Sequence, residues 1–90
     1  MIEIIWTDYL KYRAKLRGFN LSGIEEIIRF STERYFDSST ERWVVIGKDS
    51  NILVMIPHEV AENGTITPTT IHATSRQQIN YRVKSGRFKK

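Results

Sequence analysis

The sequence predicts an α+β domain in the order β-α-α-β-β-β-β-α, a mainly antiparallel sheet with helices packed on it. Two observations indicate the helices: capped amphipathic segments follow the first apolar run, and a capping box opens a last segment. A third indicates the sheet, since four β-type runs lie between them, separated by turn residues. We expect a single domain over residues 1–90, because a chain of this length holds one small core.

The chain begins with the apolar run IEIIW, which predicts a short first strand. Thr7 or Asp8 can then cap a helix by accepting hydrogen bonds from its free N–H groups. This helix should run to about Arg17 and end at Gly18, because glycine readily adopts the left-handed conformation of a C-cap.

The segment NLSGIEEIIRFST predicts a second helix. Ser22 is the expected N-cap, and Glu25 three residues later completes a capping box. Ile24, Ile27 and Ile28 recur at helical spacing and form the apolar stripe that should face the sheet.

Four β-type runs follow, beginning with RYFDSS and ERWVVIGK. The turn residues KDSN lead into NILVMIPHEV, whose five consecutive apolar residues from Ile52 to Ile56 are typical of a central strand covered on both faces. After the turn ENGT comes TITPTTIHAT, where Pro68 cannot donate to a ladder and so indicates a bulge or an edge position.

Ser75 and Gln78 form another capping box, which opens a closing helix that should end near Gly86. The remaining residues, 87–90, are expected to be a flexible basic tail. No internal repeat or linker interrupts the chain.

The charge of the chain is +4, and it is concentrated in two places. Ten of the fourteen Lys and Arg residues lie within residues 11–17 or 76–90, and the latter segment contains no Asp or Glu. Segregated positive charge favours an anionic partner, either nucleic acid or an acidic protein.

Several classes of protein fit the composition poorly. Without cysteine there is no disulfide framework or thiolate metal site, and two histidines alone cannot hold zinc. We expect no metal and no cofactor. No apolar run is long enough to cross a membrane, and the N-terminus lacks the basic region and cleavage site of a signal peptide, so we expect a cytoplasmic protein that does not act at membranes.

The first helix carries arginine on the stripe that should face the sheet. Its apolar members are Trp6, Tyr9, Leu10 and Leu16. Arg13 and Arg17 fall on the same stripe, where each guanidinium needs a carboxylate, carbonyls or solvent. Either arginine can pack its stem and extend its head to water, or it can border a site for an anion.

Three segments resemble small RelE-superfamily proteins of the BrnT kind. DYLKYRAKLRGFNLSGIEEII is similar to their opening helix of D-x-x-x-x-R-x-x-x-R-G type and the acidic helix after it. ERWVVIG, residues 41–47, looks like their E-R-x-h-x-I-G strand, and the later strands and closing helix follow in the same order. The resemblance implies a RelE/BrnT-like fold and an RNA-cleaving toxin of a type II toxin–antitoxin pair. Such a toxin acts on mRNA, on or off the ribosome, and is neutralised by a cognate antitoxin protein.

RNA cleavage of this kind, without a metal ion, requires a base for the 2′-hydroxyl, an acid for the leaving oxygen and a cation for the phosphate. The candidate catalytic cations are Arg17, Arg42 and Arg76, because a guanidinium can bind two phosphate oxygens at once. His72 and Glu41 are the candidate acid/base residues. The candidate RNA-binding residues are Arg13, Arg17, Arg76, Tyr81, Arg82 and Lys84, with Tyr81 stacking on a base.

We expect Arg13, Arg17, Arg76 and Arg82 to border one concave positive surface on the sheet, because the two helices that carry them flank a narrow sheet. Structural alternatives remain for the other candidates. His72 can be a packed or capping residue, and Glu41-Arg42 a solvent-facing pair. We expect Trp43 in the core and His58 in a loop.

Two other functions remain open on the same fold. The domain can bind RNA or the ribosome without cleaving it, or it can be a protein-interaction domain whose basic clusters dock an acidic partner.

Overall fold

The computed structural model describes residues 2–90 and has three helices and an antiparallel sheet, which confirms the α+β class. The helices are α1 (Asp8–Leu16), α2 (Leu21–Phe30) and α3 (Arg76–Lys84). The strands are β1 (Arg34–Asp37), β2 (Arg42–Asp49), β3 (Ile52–Val60), β4 (Ile66–Pro68), β5 (His72–Ala73) and β6 (Phe88–Lys89).

The sheet has the order β4-β3-β2-β1-β6, and β5 also pairs with β3. All of these pairings are antiparallel. β3 has partners on both sides, as its apolar run Ile52–Ile56 predicts. Ser50 and Asn51 connect β2 to β3 with φ angles of 49° and 69°, the positive values that a two-residue hairpin turn requires.

Helices cover both faces of the sheet. On what we call the two-helix face, Leu10 of α1 and Ile24 of α2 pack in one core with Val45. On the opposite, one-helix face, Ile79 of α3 packs in a second core with Val44. The two cores lie on opposite faces because neighbouring strand residues point in opposite directions.

The predicted helix boundaries are confirmed for α1 and α3. The hydroxyl of Thr7 accepts from the N–H of Leu10 at 3.1 Å, and that of Ser75 accepts from the N–H of Gln78 at 3.2 Å. Gly18 and Gly86 follow these helices with φ of 76° and 84°. A left-handed residue at this position is the usual end of a helix.

α2 begins two residues earlier than predicted from Ser22. Its N-cap is Asn20, whose Oδ1 accepts from the Ser22 N–H at 2.9 Å. The backbone carbonyl of Asn20 also accepts from the N–H of Ile24 at 3.0 Å. Asn20 therefore satisfies the first free donors, and Ser22 lies inside the helix.

The predicted first strand is only a single parallel bridge between Ile4 and Ile66. The N–H of Ile5 donates to the carbonyl of Ile66 at 2.9 Å, and the N–H of Ile66 donates to Glu3 at 2.9 Å. The extended segment then ends at Thr7, where α1 is capped, so no further rungs form.

The loose tail expected over residues 87–90 is replaced by a strand. Phe88 is 3% exposed, and its ring lies 5.4 Å from that of Tyr35. Arg87 donates to both carboxylate oxygens of buried Asp37, at 2.9 and 3.0 Å. The Phe88 ring and the Arg87 guanidinium hold this segment against β1. The basic composition of the segment, which suggested a flexible tail, does not indicate these contacts.

The three helices contain nine, ten and nine residues. In residues 2–90, no helix has the length and apolar character needed to cross a membrane.

Candidate anion-binding site

A one-residue bulge in the pairing with β3 determines which face of the sheet the His72 side chain occupies. β4 ends with Pro68 opposite His58, whereas β5 begins with His72 opposite Met55. Between these pairs, two residues of β3 face three residues, 69–71. Because side chains alternate along a strand, the extra residue moves His72 onto the one-helix face beside Met55. Pro68 predicted a bulge or an edge position, and it is the last residue of the edge strand β4, directly before the bulge.

α1 brings two arginines to this edge of the sheet from the other side. Nη1 of Arg17 lies 3.4 Å from the carbonyl oxygen of Ile71, the residue before His72. Arg13, one turn earlier, holds its guanidinium carbon 5.8 Å from the ring centroid of Tyr9, within cation–π range. Arg17 therefore reaches the β5 edge from the two-helix face, and the charge of Arg13 also acts on His72 there.

α3 contributes a third arginine from the one-helix face. Nη1 of Arg82 lies 3.3 Å from Sδ of Met55, the residue opposite His72. The guanidinium carbon of Arg82 is 5.6 Å from the centroid of the Phe88 ring. We call Arg13, Arg17, His72 and Arg82 the cationic cluster.

The charged groups around His72 in the cluster are all positive. Partial burial of His72, followed by the charges of Arg17, Arg13 and Arg82, lowers the pKa of its ring below the ordinary value. The charged groups that act on the ring are all arginines. His72 is therefore neutral at pH 7, and one ring nitrogen can accept a proton.

The three arginines of the cluster lack carboxylate partners among the described residues. The ion pairs within residues 2–90 involve Arg29, Arg42, Arg76 and Arg87 instead. Nε of Arg13 is enclosed by protein and has no hydrogen-bond partner there. A bound anion would satisfy these donors, which otherwise carry an uncompensated desolvation cost.

Thr70 adds a second unpaired group at the bulge. Its hydroxyl oxygen is enclosed and forms no hydrogen bond with any residue from 2 to 90, whereas the neighbouring Thr69 hydroxyl donates to the Pro57 carbonyl at 3.1 Å. Nothing in the sequence pattern distinguishes these two threonines, because the difference arises from the bulge itself.

The predicted site residue Arg76 lies outside the cluster. Its two guanidinium nitrogens donate to the carboxylate of Glu33 at 2.5 and 3.0 Å. These hydrogen bonds hold the pKa of Glu33 below its ordinary value against the opposing effect of burial. Arg76 is thus an ion-pair residue, and its charge is already compensated.

Glu41 and Arg42 also lie apart from His72. Arg42 is opposite Asp37, at the end of β2 far from Ile46, and it is Ile46 that pairs with Met55. Four residues along a strand span about 13 Å, and His72 is two strands away. The predicted catalytic set therefore does not converge, and only Arg17 and His72 come together.

The remaining RNA-binding candidates lie on α3. Tyr81 is 72% exposed and Lys84 is exposed beside it, so both are accessible without belonging to the cluster. The sequence predicted one concave positive surface bordered by Arg13, Arg17, Arg76 and Arg82, and this is wrong for Arg76, which lies outside the cluster. α1 and α3 cover opposite faces, and the arginines meet by extending around the β5 edge.

Three burial predictions also need correction. In α1, Leu10 is buried as predicted, but Tyr9 and Leu16 are exposed, because the helix rests on the line through Leu10 and Ala14. Trp43 is 44% exposed and belongs to neither buried core. His58 is a buried β3 residue rather than a loop residue.

In residues 2–90, no three His, Asp or Glu side chains converge as a metal site would require. Comparison of the chain with protein-family models, with curated proteins and with solved structures finds no match.

Proposed function

We propose that the chain is an RNA-cleaving toxin of a type II toxin–antitoxin pair, and that it binds the RNA phosphodiester at the cationic cluster. The observation that supports this most directly is the surroundings of His72, where every charged neighbour that acts on the ring is an arginine. Arginine binds phosphate oxygens in pairs, and none of these three is neutralised by a described carboxylate.

His72 is the proposed general base. Its lowered pKa keeps the ring neutral at pH 7, so it can take the proton of a ribose 2′-hydroxyl. The 2′-oxygen attacks the adjacent phosphorus, the bond to the 5′-oxygen breaks, and that oxygen takes a proton from solvent. Arg17 and Arg82 stabilise the charge that grows on the phosphate during this step.

The RelE/BrnT-like identity of the fold and the antitoxin belong to the same proposal. Two helices precede β1–β5 and a third follows them, as expected, and this order supports the proposal in outline. β6, which follows α3, is an addition to that order. The proposed substrate is mRNA, on or off the ribosome. The proposed partner is the antitoxin, which would neutralise the toxin by covering its basic surface.

The second candidate function is RNA binding without cleavage. One observation favours it: Glu41 lies far from His72, and the cationic cluster contains no second acid/base side chain. A leaving oxygen that must take its proton from water leaves slowly. This arrangement suits a binding site whose histidine contributes to contacts rather than to proton transfer.

The deciding experiment measures cleavage and affinity for the same variants. Single-stranded RNA is incubated with purified protein in EDTA, and binding is measured separately by fluorescence anisotropy. For a nuclease, His72→Ala should lower the cleavage rate about 10²–10⁴-fold and leave affinity nearly intact. Arg17→Gln should lower both, because its charge acts before and during the reaction.

Lys15→Gln is the matched control, because it removes one charge from the exposed side of the same helix. It should change neither quantity by more than about 2-fold. Unchanged cleavage by a normally folded His72→Ala protein would remove its role as base. RNA binding without any cleavage by the unaltered protein would establish the second candidate. Growth arrest on induced expression tests the toxin activity itself.

A further inference from the structure

A pocket lies beside α3 on the one-helix face, and it adjoins the cationic cluster. Its volume is about 430 Å³. We call it the α3 pocket, and it is lined by Gln77, Gln78, Tyr81, Arg82, Ser85 and Arg87. Arg82 joins it to the cluster, because this side chain lines the pocket, contacts Met55 and carries a charge that acts on His72. Since His72 also lies on the one-helix face, a ligand can contact both sites from the same side of the sheet.

Tyr81 gives the pocket an aromatic wall. It is 72% exposed and belongs to neither buried core. An exposed aromatic ring can stack on a nucleobase, and such stacking tolerates every base because each base has a π-face. Tyr81 is therefore the group that a flat ring in the pocket would contact.

The polar groups around Tyr81 are neutral. Oε1 of Gln78 accepts from the Thr74 hydroxyl at 3.1 Å, which leaves the NH₂ group of this amide as a donor. Gln77 is exposed beside it, and among the described residues no carboxylate lines the pocket. Amides both donate and accept hydrogen bonds, so they suit the edge of a base, which presents both kinds of group.

The free charge of the pocket is at Arg82. Arg87 also lines the pocket, but its guanidinium donates to both carboxylate oxygens of Asp37, at 2.9 and 3.0 Å. Arg82 faces no carboxylate within residues 2–90. The pocket therefore combines an uncompensated cation at its border with the cluster and neutral groups elsewhere. This division matches a nucleotide, whose phosphate is charged and whose base is not.

We infer that the α3 pocket binds an unpaired nucleobase, and that the phosphate of this nucleotide or of its neighbour lies at the cationic cluster. The base stacks on Tyr81, the glutamine amides contact its edge, and Arg82 binds a phosphate oxygen. Because stacking dominates this contact, the pocket accepts different bases. That the nucleotide belongs to RNA rests on the proposed function, whereas binding of a free nucleotide does not.

An occupied α3 pocket restricts the kind of RNA that fits the site. A base inside a duplex is paired and stacked on its neighbours, so it has to leave the helix before it can contact Tyr81, which costs free energy. Single-stranded and duplex RNA both present phosphates to the cluster. The pocket adds a preference for the single strand.

An NMR titration with small ligands tests the base site directly. The probes are adenosine 5′-monophosphate, adenosine 3′-monophosphate and ribose 5-phosphate, which carries a phosphate but no base. At least one of the nucleotides should bind about 5–100-fold more tightly than ribose 5-phosphate, as expected for one stacked base. The same nucleotide should shift the resonances of the Tyr81 ring and of the Gln78 side-chain amide.

Two substitutions of Tyr81 separate the ring from its hydroxyl group. Tyr81→Ala should reduce the advantage of the nucleotide over ribose 5-phosphate to less than about 2-fold, and it should leave the affinity for ribose 5-phosphate unchanged. Tyr81→Phe should keep the advantage, because the ring can still stack. The matched control is Tyr12→Ala, which removes a tyrosine that is 62% exposed on α1, over the opposite face, and should change neither affinity.

Three results would overturn the inference: nucleotides that bind no more tightly than ribose 5-phosphate, a Tyr81→Ala protein that keeps their advantage, or a Tyr81→Phe protein that loses it. RNA binding and cleavage are measured in parallel. If RNA affinity depends on Arg17 while the nucleotides show no advantage, the pocket inference fails alone. If the nucleotides bind through Tyr81 while the unaltered protein neither binds nor cleaves RNA, the inference stands and the proposed function fails.

Discussion

His72 lies where two residue-level effects act in the same direction. Burial makes a charged ring costly, and the arginines around it repel a proton. Burial contributes most to the lowered pKa of the ring, and the arginine charges lower it further. An anion bound to the arginines would reverse part of this effect, so the protonation state of His72 reports occupancy of the cluster.

The first prediction uses this coupling. Sulfate should raise the pKa of His72, because it compensates the arginine charges that lower it. By linkage, sulfate should bind more tightly to the protonated form, so its affinity should fall as pH rises through the pKa of His72. An NMR pH titration of the His72 ring with and without sulfate measures both effects. His58, buried away from the cluster, is the internal control, and equal shifts at both rings would contradict the prediction.

The second prediction concerns the two threonines at the bulge. Thr70→Val should leave stability unchanged or raise it by about 0.5–1 kcal/mol, because it removes a buried hydroxyl without a partner. Thr69→Val should lower stability by about 1 kcal/mol, because it removes the hydrogen bond to Pro57. Urea unfolding of both variants measures the difference. If Thr70→Val is the more damaging change, then Thr70 has a partner such as a bound water.

At the level of elements, the sequence predicts structure best where the signal is local. The caps at Thr7 and Ser75 and the turn at Ser50-Asn51 depend on neighbouring residues, and each is confirmed. The central position of β3 follows from its continuous apolar run. These features need no knowledge of what packs against them.

Features that depend on distant contacts were not predictable in this way. The cationic cluster needs the bulge, which turns His72 toward Met55, and it also needs α1 and α3 on opposite faces. Trp43 is exposed and outside both cores, although large aromatic residues are usually buried. Arg76 is paired with Glu33, far away in sequence, and no local pattern indicates that pair.

The third prediction tests β6. Phe88→Ala should lower the free energy of unfolding by about 3 kcal/mol, because the ring is buried against Tyr35. Lys89→Ala is the matched control in the same strand, where the side chain is exposed, and it should cost no more than about 0.5 kcal/mol. Urea unfolding measures both. Equal small losses would mean that residues 87–90 are a loose tail after all.

At the level of the whole molecule, the positive charge is less widely available than the sequence suggests. Arg29, Arg42, Arg76 and Arg87 each face a carboxylate, although at 4.0 Å the Arg42 contact is a loose one. The three arginines of the cationic cluster face no carboxylate among the described residues. The field that an approaching polyanion meets is therefore strongest around the β5 edge rather than along the whole basic C-terminal segment.

The fourth prediction is a salt dependence. RNA affinity should fall linearly with salt on logarithmic axes, with a slope of about −0.7 for each phosphate contacted on a single strand. Arg17→Gln should reduce the steepness by about 0.7, because one contact is lost. Arg76→Gln should leave it nearly unchanged, since Glu33 already holds that guanidinium. A zero slope for the unaltered protein would show that the charge does not serve nucleic acid.

The pairing of β6 with β1 also has a consequence for the order of folding. Lys89 pairs with Phe36, so this contact closes a loop over more than half of the chain, whereas β2 and β3 are joined by a two-residue turn. Closing a long loop costs more entropy before any contact forms, so the hairpin should fold first and the β6 rung among the last. During synthesis β6 also emerges after the other strands of this sheet. The β1 edge of a nascent chain therefore stays unpaired until β6 has left the ribosome, and the sheet is incomplete before then.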